Sequence, residues 1–386
     1  MTKNHKHDDK EEKDVRPKRW IGCPIEEEYF GVEDRKKTKM HRKMITAKDR
    51  SKYKKTDRDK QDVHDKDAAD KMDRGNLLRG RILSIMSQGI VVQTSDGKSW
   101  DCLLRGILKK DKTQTKNLIT VGDFVLFEKT SDTEGAIAYV EPRKSTLSRA
   151  DNLLHRKEQL IAANIDQVLI TASVVDPTLK PSLLDRYIIA ARKGGMDPVI
   201  VINKIDLLAD HEQEKFMYNE VLSAYALAGI PVISLSIKTG EGLDDLRNAM
   251  KDKVSVFSGQ SGVGKTSLIN LITGLDLRVG KTVERTKKGS HTTTSAQLIP
   301  LEFGGWCIDT PGIKSFGVWD LKREEIEGYF TEIHDIGVNC KYQDCSHMHE
   351  ANCAVIEALE EGKISLIRYQ SYYALIDSIS QSHIKR

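Results

Sequence analysis

The sequence predicts a multidomain protein whose central part is an α/β domain, preceded by a small β-barrel and followed by a helical module. Three observations carry that reading. Short β-rich runs crowd residues 76–148, strands alternate with amphipathic helices over residues 149–319, and three cysteines cluster with histidines before a helical C-terminus within residues 320–386. A chain of 386 residues with 39% apolar content has room for these separate cores.

Residues 1–75 do not fit any of them. They are dense in Lys, Asp, Glu and Arg with few regularly spaced aliphatics, so they bury too little apolar surface to offset ordering entropy and are expected to be a disordered tail. Charge within the tail is uneven: residues 35–60 hold thirteen Lys and Arg against three Asp, although the whole chain carries only +4. Such a run suits a phosphate backbone, and it equally suits a solvated, partner-free segment. No apolar stretch reaches the ~18–20 residues that cross a bilayer, and no hydrophobic segment follows the charged N-terminus. A cytoplasmic protein without membrane association is expected.

The barrel is read from "RGRILSIMSQGIVVQTSDGKSWDCLLRG", "VGDFVLFE" and "GAIAYVEPR", with Asp96-Gly97 marking a hairpin. About five short strands in this length predict an OB-fold, with an SH3-like barrel as the alternative. Arg105, Lys109, Lys110, Lys112 and Lys116 are candidate RNA contacts or ordinary solvated loop residues.

In the α/β part, "DQVLITASV" and "DPVIVINKID" read as buried parallel strands, with "PSLLDRYIIAARKGG" a helix between them that stops at Gly194-Gly195. Then "VSVFSGQSGVGKTSLIN" supplies a strand, a loop of the form G-x-x-x-x-G-K-[ST], and a helix start. Glycines in that context turn backbone N–H groups onto phosphate oxygens at a helix N-terminus. Gly259, Gln260, Ser261, Gly262, Val263, Gly264, Lys265, Thr266 and Ser267 are therefore candidate nucleotide-binding residues, with Lys265 reaching the β/γ-phosphates and Thr266 ligating Mg²⁺. Downstream, Asp309 and Gly312 of "DTPG" are placed to hold the metal through water and to offer an N–H to a γ-phosphate.

Base choice falls to "NKID". Asp206 can accept from the N1–H and N2–H₂ of guanine, which adenine cannot supply, while Asn203 and Lys204 brace the pocket. Ser236-Ile237-Lys238 resembles the segment that completes a guanine pocket. These elements come before the phosphate loop, the reverse of the usual order. A circular permutation keeps the same fold when old ends are joined and new ones open at a surface loop.

The last region holds Cys340, Cys345, His347 and Cys353, a donor set for one structural, tetrahedral zinc, with His349 the competitor to His347. Buried free cysteines would be the bland alternative.

Taken together, "PRKSTLSR", "GQSGVGKTSLIN", "HTTT", "DTPG" and the "C…DCSH…C" run resemble the RsgA (YjeQ) family of small ribosomal subunit biogenesis GTPases, over about residues 76–386. The resemblance implies a GTPase that binds the small (30S) subunit and its rRNA late in maturation, turns over faster on the subunit, and contacts RNA through barrel and zinc module. It also implies Thr293, rather than Thr292 or Thr294, as a second Mg²⁺ ligand, and His291 as the group that orients the attacking water, since Ile313 stands where many GTPases have Gln. A ribosomal group is the alternative to His291. A GTP-dependent switch on a non-ribosomal RNA is the alternative function, a nucleotide kinase a remoter one. A monomer is expected.

Overall fold

The computed structural model describes residues 77–86, 89–105, 118–150, 158–275, 296–309 and 323–384. The expected tail, the loop lysines from Lys109 to Lys116, His291, residues 292–294 and Gly312 lie outside the described residues.

Five strands form the barrel: β1 (Leu77–Ile85), β2 (Ile90–Thr94), β3 (Ser99–Leu104), β4 (Phe124–Lys129) and β5 (Glu134–Val140). They run in the order β1-β2-β3-β5-β4, and β4 pairs back onto β1, so the sheet closes. The β3–β5 pairing is parallel and the others are antiparallel, which makes the barrel OB-like. Alternate side chains (Ile82, Val92, Cys102, Val125, Phe127, Ile137) fill its interior. The hairpin expected at Asp96-Gly97 joins β2 to β3, with Gly97 at φ +84° as its turn requires.

A second hairpin, β6 (Thr146–Ala150) with β7 (Glu158–Ala163), leads into the α/β body and spans position 148, where barrel and α/β domain are expected to meet. Polar contacts fix the join. Arg143 Nε and Nη2 donate to the fully buried Asp123 carboxylate at 2.7 and 2.8 Å, and Arg81 Nη2 donates to the Asn164 carbonyl at 2.7 Å. Burying Asp123 without Arg143 would strand a charge, so this pair holds the linker against the barrel.

The α/β sheet contains β8 (Gln167–Ser173), β9 (Asp197–Asn203), β10 (Val232–Ser234), β11 (Val254–Gly259), β12 (Gln297–Pro300) and β13 (Trp306–Asp309). Its order is β10-β9-β8-β11-β13-β12, parallel except for β12. Strand alternation sends Val168, Ile170, Ile200 and Ile202 to one face and Leu169, Val199 and Val201 to the other. Helices α1 (Pro181–Lys193) and α2 (Glu212–Leu227) cover the first face, α3 (Leu243–Met250) and α4 (Lys265–Thr273) the second. Continuous apolar strands with helices on both sides are what a parallel sheet demands. Helix α1 starts on Pro181, carries Arg192 and Lys193 in its last turn, and ends at Gly194, as its sequence predicts.

Four helices complete the described residues: α5 (Arg323–Tyr329), α6 (Thr331–Gly337), α7 (Ala354–Glu360) and α8 (Leu366–Ile384). Their apolar faces share one core, which also takes in Ile189 of α1. Among the described residues no helix is long and apolar enough to cross a membrane.

Candidate nucleotide and metal sites

Parallel strands present their carboxyl ends on one edge of the sheet, and here that edge collects the motifs that the chain order separates. Strand β11 ends in the glycine loop, β9 ends at Asn203, and β13 ends at Asp309. β11 lies between β8 and β13, and β9 lies on the far side of β8. Spatial adjacency is thus independent of which motif comes first in the sequence.

All three glycines of residues 259–264 sit at positive φ, Gly262 at +86°. Gly259 has φ +142°, and a Cβ there would meet the Thr171 carbonyl oxygen at 2.0 Å. Gly264 has φ +99°, and its Cβ would fall 2.4 Å from Asn203 Nδ2 and 3.3 Å from Ile237 Cδ1. The phosphate loop therefore packs directly on two guanine-motif residues. Lys265, Thr266 and Ser267 follow in the first turn of α4. Lys265 Nζ donates to the carbonyls of Gly259 and Gln260 at 2.7 and 2.5 Å, folding the side chain over the loop. Burial lowers its pKa to about 8, because the ammonium loses solvent. Ser261 and Gly262 are exposed at the loop's outer face, and Val263 is buried.

Asn203 ties the two halves together. Its Nδ2 donates to the Val263 carbonyl at 2.9 Å, while its Oδ1 accepts from the N–H groups of Lys204 (2.8 Å) and Ile237 (3.4 Å). Lys204 adopts φ +68° as the chain turns into the 3₁₀ helix Ile205–Asp210, which carries Asp206. Ser236 is fully buried; its hydroxyl donates to Asp206 Oδ1 at 2.6 Å and accepts from the Thr239 N–H at 3.2 Å. Lys238 is exposed beside it. One contact escaped sequence reasoning. Lys204 Nζ donates to the carbonyls of Val175 (3.3 Å) and Asp176, and Pro177 of the same loop lies against Gly262. Only the Asp-Pro pair just beyond β8 hinted at a turn there.

The cysteine cluster assembles as the spacing suggests. Ligand atoms of Cys340, Cys345, His347 and Cys353 all lie within 4.8 Å of one another, so one ion can reach all four. Three thiols and an imidazole match a tetrahedral zinc site, and the donor set fits. His347 enters with φ +58° and is 2% exposed, whereas His349 is exposed and outside the cluster, so the geometry favours His347 as the donor. His347 Nδ1 faces the sulfurs of Cys340 and Cys353 at 3.5 Å each, and Nε2 lies 3.6 Å from Glu327. A carboxylate behind a histidine can fix the orientation of its ring. Glu350 accepts from the N–H groups of Ser346, Met348 and His349, shaping the turn, and Tyr369 Oη donates to the His347 carbonyl at 2.8 Å. Neither was legible from the motif. Burial, with the nearby thiols of Cys353 and Cys340, pushes the Cys345 thiol up to about 12, an arrangement that a divalent cation would reverse.

Comparison with known proteins places the chain in a family. The profile of the RsgA GTPase family matches residues 140–319. The small ribosomal subunit biogenesis GTPase RsgA of Chlorobaculum parvum is 40% identical over 314 residues, covering 79% of this chain and 99% of the relative. That of Saccharophagus degradans is 37% identical, covering 82% and 92%. Among solved structures, YjeQ from Thermotoga maritima superimposes with a TM-score of 0.65 at 32% identity, covering 78% of this chain and 98% of that one. YloQ, a circularly permuted GTPase, gives 0.64 at 28%, covering 80% and 97%.

Proposed function

This chain belongs to the RsgA family of circularly permuted GTPases, and from that premise we propose that it hydrolyses GTP while bound to the small ribosomal subunit and assists late maturation of that particle. The observation that supports the reading is the Asn203 bridge, which hydrogen-bonds to Val263 of the phosphate loop and to Ile237. Names of the relatives supply the ribosomal part.

Within the pocket, Asp206 reads the guanine edge, held by Ser236, and Asn203, Lys204, Ile237 and Lys238 frame the base. Backbone N–H groups from Gly259 to Gly264 cradle the phosphates, and Lys265 exchanges its loop carbonyls for phosphate oxygens. Thr266, with Thr293 and Asp309, would hold Mg²⁺, which neutralises phosphate charge when bound. Gly312 would offer its N–H to the γ-phosphate. His291 accepts a proton from, or aligns, the attacking water, unless a ribosomal group does so.

Cys340, Cys345, His347 and Cys353 would hold one structural zinc, since four converging donors fill a tetrahedral shell and leave no position for water. The expected division into residues 1–75, 76–148, 149–319 and 320–386 gives a tail, an RNA-contacting barrel, the GTPase and the zinc module. We take the protein as a cytoplasmic monomer. Co-sedimentation with purified small subunits, large subunits and tRNA in the presence of a slowly hydrolysed GTP analogue tests the assignment. Pelleting with small subunits alone is expected; binding only to tRNA would favour the non-ribosomal switch.

A further inference from the structure

Arg368 of α8 is 1% exposed, a rare place for a guanidinium. Its Nη1 donates to Asp185 of α1, and its Nε donates to Glu332 of α6 at 2.6 Å. The guanidinium lies 4.4 Å over the ring of Phe330 and 5.5 Å from that of Tyr225. Tyr225, on α2, donates from Oη to Asp185 Oδ1 at 2.8 Å and to the Pro181 carbonyl at 3.1 Å. Burial opposes the charge on Arg368, but Asp185 and Glu332 more than offset it. One side chain thus ties three helices, and through Tyr225 a fourth.

A buried ion pair seldom stabilises a fold more than apolar packing of the same volume; its best-attested use is to impose one register. Position explains what register would be needed. Helix α1 begins four residues after Asp176-Pro177, the loop that touches Lys204 of the guanine motif and Gly262 of the phosphate loop. Helix α2 follows directly on the 3₁₀ helix that carries Asp206. On the other side, α6 runs into Cys340, and α8 holds the His347 carbonyl through Tyr369. The far end of α1 grips the same module, as Arg192 Nη1 donates to the Tyr329 carbonyl at 2.6 Å.

We propose that Arg368 is the coupling residue through which nucleotide in the pocket is felt by the cysteine-histidine module, by way of Asp185, Tyr225 and the loop at residues 174–180. The inference rests on the pocket assignment above. It treats Arg368 as a positioning residue remote from the substrate, with α1 and α2 as two rigid arms that move together or not at all.

Hydrogen exchange of the full-length, metal-loaded protein tests this, with GDP, with a slowly hydrolysed GTP analogue, and without nucleotide. In the wild type, nucleotide should change exchange in α8 and in residues 340–353 by about fivefold or more, the scale of ordinary allosteric coupling. Arg368→Met should abolish that response while leaving GDP affinity, read with a fluorescent analogue, within about twofold of wild type. Arg368→Lys, which keeps the charge and loses the fork, should show a reduced response and serves if the Met variant does not fold. A response that persists undiminished in a folded variant, or is missing from nucleotide-bound wild type, overturns the coupling. A wild type that binds no guanine nucleotide overturns the pocket assignment and the coupling with it, and the affinity measurement tells the two failures apart.

Discussion

Replacing Asp206 by Asn tests the guanine pocket at its most specific point. The Ser236 hydroxyl accepts from the Thr239 N–H, so its own hydrogen points to residue 206. An asparagine would turn its carbonyl oxygen toward that hydrogen and its NH₂ toward the base. Guanine presents N1–H and N2–H₂ to that position, so one carboxylate oxygen gives way to a donor facing a donor, and the oxygen that remains loses its charge. The lost charge-assisted bond is worth about 1.5–3 kcal/mol and the guanine donor left buried without an acceptor costs about 1–3 kcal/mol, so the change amounts to roughly 4 kcal/mol, or about a thousandfold in affinity. Xanthine carries a carbonyl where guanine has its amino group, and should regain affinity through the new NH₂. Competition between fluorescent guanosine and xanthosine diphosphates measures both arms. Retention of guanosine diphosphate affinity within about tenfold, with no gain for xanthosine diphosphate, would refute the geometry assigned to Asp206 and Ser236.

Other predictions follow from single contacts. Gly264→Ala forces a Cβ to 2.4 Å from Asn203 Nδ2 at φ +99°, and should cost about 2–4 kcal/mol in urea unfolding from backbone strain and the displaced Asn203 bond, with nucleotide affinity falling as well. Cys353→Ser removes one of four converging donors, so zinc content read by a colorimetric chelator should fall from about one per chain to a small fraction, and the midpoint of thermal unfolding should drop by more than about 5 °C. Lys265 titrates near pH 8, below its ordinary value, so its charged fraction falls from about 0.9 at pH 7 to about 0.25 at pH 8.5. Nucleotide affinity should therefore decline about fourfold over that interval, and Lys265→Arg, charged throughout, should flatten the profile.

Short motifs with backbone requirements were legible because the physics that demands them is local. Gly259 to Thr266, Asn203 to Asp206 and the cysteine spacing each announce a geometry within a few residues, and the described parts of the chain supply it. Pairings between distant segments were not legible. The parallel β3–β5 ladder and the β1–β4 closure that make the barrel OB-like depend on strand order, which alternation alone leaves open. Likewise His347 and His349 differ in sequence by two positions, and only the turn organised by Glu350 with φ +58° at His347 sends one inward. Arg368 reads as one more charge on an amphipathic helix. Its burial depends on Asp185, 183 residues earlier, meeting it where α1 and α8 pack.

GTP hydrolysis by the purified protein, alone and with small subunits, large subunits or tRNA, tests the central claim most directly, run for wild type and His291→Ala. Weak turnover alone, strong stimulation confined to small subunits, and loss of that stimulation in the variant are predicted. Fast turnover by the isolated protein that small subunits leave unchanged would contradict the account.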